Sequence, residues 1–445
     1  MTPAISSTAE PDQNYSTPSL LESRSQLLPE QGTRKLSSQP WIARLLQPRT
    51  GLKVFSGILL LIYAVIPACL YIFLTPESVL LKLSLLSFLA VAAMWIGSTM
   101  QLFDARFKTS AVRLKINSNL FHTITWTIFL VFVAITLITA SSIPLISAFN
   151  GATADALSQE RGDFLKSRVG AEMALMYIST ILTSTIVPYS IVLLYAGQSR
   201  FRHFFAFLFF VFCVSFLAKA LFLNLVFPLL ICLAIVNKLD KKVVVLGALG
   251  SIFILVLSTM LSMGGEQDTS ANGIVTSTAS EYMSAAYVPA SALDYFVWRA
   301  FAVPIFTATD TLLVHAQQFG DHPLMGATSS LLSALFGLER INLERYVFEH
   351  QFGSWNEIAN ANTVFIVDAY ANFGYAGVII FGLFVGQIFR WFRLSSDVGF
   401  KSLWLLFSFA LFNASLIGML LSNGFFYMIF HALFFSVVSV RKFYG

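Results

Sequence analysis

Apolar runs close to the length that crosses a bilayer recur through nearly the whole of this 445-residue chain. About 20 consecutive apolar residues span the hydrocarbon core as a helix, and only helices and closed barrels can satisfy their backbone there. Composition agrees: 56% of the residues are hydrophobic and 11% charged, where soluble domains carry about 25% charge. The chain reads as an all-α polytopic integral membrane protein.

Spans are expected at about 53–74, 79–100, 120–146, 172–196, 203–218, 220–237, 242–262, 363–390, 401–421 and 423–440. The segment at about 263–362 has room for two further crossings, giving 10–12 helices in all. Lysine and arginine fall in alternate connections, as they do in cytoplasmic loops. Arg44, Arg49 and Lys53 precede the first span; Arg106, Lys108, Arg113 and Lys115 follow the second. Arg200 and Arg202 follow the fourth, and Lys238, Lys241 and Lys242 the sixth. Arg390, Arg393 and Lys401 follow the eighth, and Arg441 with Lys442 closes the chain. Both termini are therefore expected in the cytoplasm. Arg161, Lys166 and Arg168, in the connection at 147–171, run against the pattern.

Residues 1–51 are rich in Ser, Gln, Pro and Thr, lack apolar periodicity and read as a disordered cytoplasmic tail. Within them 41–46 reads either as a short interfacial helix or as more of the tail. The first apolar run begins near Val54, too late for a signal peptide. The rest divides into an N-terminal transmembrane bundle (52–262), a large periplasmic loop with interfacial or re-entrant helices (263–362) and C-terminal transmembrane helices (363–445). The net charge of +5 is spread over short clusters between apolar runs, so no nucleic-acid partner is expected. Cys69, Cys213 and Cys232 are scattered within apolar runs and suggest neither disulfide nor metal site.

Titratable chemistry gathers in the external segment. Three of the six histidines, His315, His322 and His350, lie there with ten carboxylates and only Arg299, Arg340 and Arg345 as bases. Arg299 in "FVWRAFAVPIFTATDTLL" presents a fixed charged fork suited to a diphosphate, or pairs internally with Asp294 or Asp310. In "LERINLERYVFEHQFGSW" the repeated Leu-Glu-Arg looks helical, Arg340 and Arg345 pair along one face or face a ligand, and His350 beside Glu349 is a candidate base. Lys219 interrupts an apolar stretch between two spans; it either snorkels at a hairpin tip or holds a lipid-linked phosphate.

The stretch "NANTVFIVDAYANFG" sets Asp368 in an apolar run, where lipid would penalise it. Asn362 is placed to cap a helix starting at Thr363. Phe365, Asp368 and Asn372 then share a face turned into the protein, with Tyr370 turned away. Asp368 and Asn372 bind sugar hydroxyls at a cavity mouth or satisfy a neighbouring helix. Gly382 and Gly386 have the small-xxx-small spacing of a helix contact. No nucleotide loop, zinc pattern or nucleophile elbow appears, so neither metal nor cofactor is expected.

Together the many helices, the large external loop in the C-terminal half and "NTVFIVDAYANFGYAGVIIFGLFVG" resemble the bacterial oligosaccharide repeat-unit polymerases, the O-antigen polymerase (Wzy-like) family. The resemblance covers the chain from about residue 52 onward. It implies a GT-C-like fold and a glycosyltransferase that joins undecaprenyl-diphosphate-linked repeat units at the periplasmic face of the inner membrane. The products would be O-antigen, capsule or exopolysaccharide chains. By the same resemblance Arg299 and Arg340 map onto the family's functional loop arginines, and Lys219 stands where relatives often carry an intramembrane arginine. Arg299, His350 and Asp368 are the expected catalytic residues; Lys219, Arg340, Arg345, Asn362, Tyr370 and Asn372 are expected to bind substrate. A chain-length regulator (a co-polymerase) is the expected protein partner, beside the lipid-linked repeat unit and the bilayer. Two alternatives stay open: an O-antigen-ligase-like transferase using the same donor, and a lipid-linked glycan transporter or flippase, for which inverted repeats and paired broken helices would be expected.

Overall fold

A computed structural model describes residues 41–109, 113–140, 142–152, 173–215, 221–240, 281–353 and 361–438, with a few isolated positions in 153–172 and 241–256. The described chain is mainly helical, and six helices are long and apolar enough to cross a membrane: α1 (Gly51–Phe73), α2 (Ser78–Gly97), α3 (Ser118–Thr139), α4 (Tyr177–Ala196), one over Leu293–Phe319 and one over Phe365–Leu394. Shorter apolar helices follow α4, α5 (Arg202–Ser215) and α6 (Leu223–Ile235). After them come α7 (Ala292–Phe319), α8 (Leu343–Phe352), α9 (Phe365–Leu394) and α10 (Phe425–Phe434). More than half of the expected span at 242–262 lies outside the described residues.

Two spans carry a widened turn ahead of a proline. In α1 the π-turn Leu61–Val65 precedes Pro67, and in α4 the π-turn Leu182–Ile186 precedes Pro188. Proline brings no N–H, so carbonyls near it need donors from elsewhere. Ser87 and Ser84 of α2 supply them at Tyr63 O and Ala64 O, each at 3.0 Å. Asn224 of α6 reaches Thr183 O at 3.1 Å.

The centre is the parallel pair α2 and α9. Gly97, Gly382 and Gly386 put backbone against backbone: a Cβ on Gly386 would collide with Met94 O, one on Gly97 with Leu383 O, and one on Gly382 with Ala90 and Ala93. The structural reading of the glycine pair is therefore the one observed. Below this contact Arg390 Nε donates to Asp104 Oδ1 at 2.9 Å, and Trp391 Nε1 to Leu102 O at 2.7 Å. Phe55, Phe365, Phe389, Phe392, Phe400, Trp404 and Phe407 fill the core around them.

Two expectations are corrected and one open alternative is decided. The stretch expected to span at 401–421 is broken into Trp404–Leu411 and Leu416–Leu421, because "FNAS" intervenes and Ser415 Oγ caps the second piece at Gly418 N. The last expected span is only α10, which starts after Gly424 (φ 77°) and runs into β2 (Phe435–Val438). That strand pairs in parallel with β1 (Leu114–Asn117), the one small ladder among the described residues. Finally, 41–45 forms a helix, with Ala43 packed against Ala234 and Leu239 and Gln47 bonded to Ala234 O. Order thus begins ahead of the expected boundary at 51.

Candidate functional site

Helix α9 does not run straight. At Gly374 (φ 61°, ψ −153°) the backbone leaves helical geometry in a region open essentially to glycine alone. The break frees carbonyls that would have accepted from the next turn. Ala371 O takes Leu324 N–H at 2.9 Å and Asn372 O takes Met325 N–H at 2.8 Å, which ties the 320–329 connection to the helix.

That tie assembles a polar site. Thr328 Oγ1 donates to Asp368 Oδ1 at 3.2 Å, and Asn372 Nδ2 lies 2.7 Å from Thr328 Oγ1 and 3.1 Å from Asp368 Oδ1. Asp368 and Asn372 are both buried. Ile341 N–H bonds to Ala327 O, which draws the loop carrying Arg340 alongside Thr328. Ala361 N–H bonds to Glu344 O, so Asn362 and the first turn of α8, with Arg345, border the same region. Arg340 and Asn362 are exposed and Arg345 is half-buried.

A second cluster adjoins it on α9. Lys82 Nζ lies 2.9 Å and 3.0 Å from the two Asp321 carboxylate oxygens and 4.4 Å above the Tyr370 ring. The Tyr370 hydroxyl donates to Asp321 Oδ2 at 3.1 Å. His315 places Nδ1 3.1 Å from Asp321 Oδ1 and Nε2 2.9 Å from His322 O. Both ring nitrogens thus face oxygen atoms, one of a carboxylate and one of a backbone carbonyl. Burial lifts the Asp321 carboxyl, but the Lys82 ammonium, with Tyr370 and His315, outweighs it and holds the group below the usual carboxylate range. At the edge of this end, burial and then the Asp310 carboxylate raise Glu77.

Of the residues expected from sequence, Asp368 and Asn372 are in direct contact and Tyr370 joins the neighbouring cluster, while Arg340, Arg345 and Asn362 lie on segments tied nearby through backbone bonds of their neighbours. Tyr370 is buried, not turned away, because Asp321 draws its hydroxyl inward. Asn362 does not cap α9: the helix begins at Phe365 after Val364 and has no side-chain cap. The first Leu-Glu-Arg lies before α8 and only the second is helical.

Arg299 is exposed, 16 residues from His315 along α7, or roughly 24 Å at 1.5 Å per residue, so it does not reach the Asp368 site. Asp294 does not pair with it; that carboxylate accepts instead from Tyr287 at 2.7 Å and Ala290 N at 2.9 Å. Asp310 takes Gln351 Nε2 of α8 at 2.8 Å. His350, half-buried on α8, has Nε2 without a partner. Lys219 lies outside the described residues.

Lys82, Asp321, His315 and Thr328 were not anticipated. Lys82 carried a usable signal, the one that singled out Lys219: a cation interrupting an apolar run. Among the described residues no three His, Cys, Asp or Glu side chains converge to hold a metal ion. Comparison with protein families, with curated proteins and with solved structures finds no match.

Proposed function

We propose that the chain is a glycosyltransferase of the repeat-unit polymerase kind, extending undecaprenyl-diphosphate-linked oligosaccharides at the periplasmic face of a bacterial inner membrane. The GT-C-like fold and the cytoplasmic termini belong to the same proposal. The observation that carries it is Arg340: an exposed guanidinium without an ion pair among the described residues, on the loop beside the buried Asp368–Thr328–Asn372 group. An unpaired arginine at the end of an apolar bundle suits a diphosphate whose lipid lies in the bilayer.

In this reading the acceptor sugar hydroxyl attacks the anomeric carbon of the donor glycan. The bond from that carbon to the diphosphate oxygen breaks, and undecaprenyl diphosphate leaves with the electron pair. Arg340 stabilises the charge that develops on it. The hydroxyl proton is assigned to His350, whose buried, unpartnered Nε2 must first open toward the acceptor. Holding two lipid-anchored reactants together supplies much of the rate. Asp368, enclosed by Thr328 and Asn372, orders the site.

The break at Gly374 favours the transporter as second reading, since discontinuous helices recur at transport sites. Complementation of a null strain separates the two, with glycan length read on gels and protein level checked by blot. Long chains with wild type, and single capped repeat units with well-expressed Arg340→Ala or His350→Ala, are expected. Absence of any single-unit glycan at the outer face of the null strain would assign the chain to export.

A further inference from the structure

The carboxylate of Asp368 lacks a cation. The residue is 8% exposed in the first turn of α9, among Phe365, Ile366, Val367 and Ala369, none of which has any exposed surface. Its partners are neutral: the Thr328 hydroxyl and the Asn372 carboxamide, both on Oδ1. No lysine, arginine or histidine of the described chain pairs with it, and 354–360, which precedes the site, contains none. Lys82, one element away, is committed to Asp321. Charge buried without a counter-charge is costly, so a positive species belongs at this position.

A second atom of the same cluster is left unsatisfied. Asn372 Oδ1 is buried without any donor. The carboxamide cannot simply be reversed: Nδ2 lies 2.9 Å from Asp368 O, a backbone carbonyl that only accepts, as well as 3.1 Å from the carboxylate. The bare atom is therefore the amide oxygen, an acceptor beside an anion. Thr328 Oγ1, already donating to Asp368, offers a third oxygen. The three side chains lie beside the break in α9, where Ala371 and Asn372 turn their carbonyls out of the helical ladder.

We propose that Asp368, the Asn372 amide oxygen and the Thr328 hydroxyl bind one dehydrated monovalent cation, of which sodium is the fitting ion. All three donors are hard oxygens, and imidazole or thiolate, which select transition metals, are absent from the set. One carboxylate matches one positive charge, whereas calcium takes six to eight oxygens, commonly with several carboxylates. The ion bridges the N-terminal half of α9 to the 320–329 connection, so its binding fixes the loop network that flanks Arg340. The inference stands on this geometry and does not depend on the glycan reading.

The test is thermal unfolding of the purified full-length protein in detergent at pH 8. Sodium chloride is exchanged for choline chloride or potassium chloride at constant ionic strength. Tm rises with sodium by roughly 1–2 °C per tenfold above the dissociation constant, and Asp368→Asn, neutral and nearly isosteric, removes the rise. Equilibrium dialysis with sodium-22 on the wild type counts one ion per chain, and Thr328→Val weakens that binding; both readouts stand if Asp368→Asn does not fold. Absence of both a sodium-dependent Tm and bound sodium-22 would overturn the proposal, assigning the charge on Asp368 to a proton. Failure of glycan polymerisation in cells would leave these outcomes unchanged.

Discussion

At the scale of single residues, Gly374 and Asp321 decide how the site is held. A Cβ on Gly374 meets only Pro323 Cγ, at 4.0 Å, so space is not what demands glycine there. The backbone does: φ 61° with ψ −153° costs other residues about 1–3 kcal/mol. Gly374→Ala is expected to lower stability by that amount in denaturant or thermal unfolding, with no steric term added. Asp321 brings a pH dependence whose sign follows from its partners. Its folded pKa lies below the unfolded value of about 3.9, so its stabilising contribution is present above about pH 4. That contribution is lost as pH falls through the folded value. Unfolding followed from pH 7 to pH 3 should show wild type losing more stability than Asp321→Asn. Equal losses would mean that the Lys82 contact contributes nothing, the usual result for an exposed pair. Residues of this kind were half legible in sequence. Asp368 and Asn372 stood out because they interrupt an apolar run; Asp321 and Thr328 lie in an ordinary polar loop and acquire meaning only when α9 breaks toward them.

At the scale of elements, the contact between α2 and α9 organises the rest. Its middle is glycine against backbone and its basic end is Asp104 with Arg390, whose side chains are 11% and 13% exposed. Gly386→Leu must push Met94 and its carbonyl aside, and is expected to abolish recovery of folded protein by size exclusion in detergent. Gly57→Ala, with nothing within 4 Å, should leave it unchanged. For the ion pair, removing one partner strands a half-buried charge, which costs more than removing both. Asp104→Ala is therefore expected to destabilise more than Asp104→Ala combined with Arg390→Leu. The reverse order would make the pair a surface contact. Periodicity and length placed α1, α2 and α4 within a few residues, since each run is bounded by polar or turn residues, but carried the third span to 146 where α3 ends at Thr139 and a separate helix opens at Pro144. The same reasoning overextended 401–440. Hydropathy registers an apolar segment but is blind to Ser415 and Gly424 restarting the helix and to a strand pairing with residues 114–117.

At the scale of the whole molecule, charge is unequal between the two ends of the α2–α9 pair. Arg106, Lys108, Arg390 and Arg393 gather where α2 and α9 end, and Lys53 where the antiparallel α1 begins. The opposite end carries Glu77, Lys82, Asp310, Asp321 and Asp368. Clustered lysine and arginine remain on the cytoplasmic side, so the Asp321–Asp368 end is expected to face outward. Glycan transfer at the periplasmic leaflet requires that direction, because the site lies at that end alone. Single cysteines settle it in a background without Cys69, Cys213 and Cys232. His322→Cys, exposed in the 320–329 connection, should react in intact spheroplasts with a maleimide that does not cross membranes. Arg393→Cys, exposed at the other end, should react only after permeabilisation. The opposite pattern would place Arg340 and His350 in the cytoplasm, where exported repeat units are out of reach. The polymerase reading would fall with it, while the sodium site, defined by local geometry, would remain.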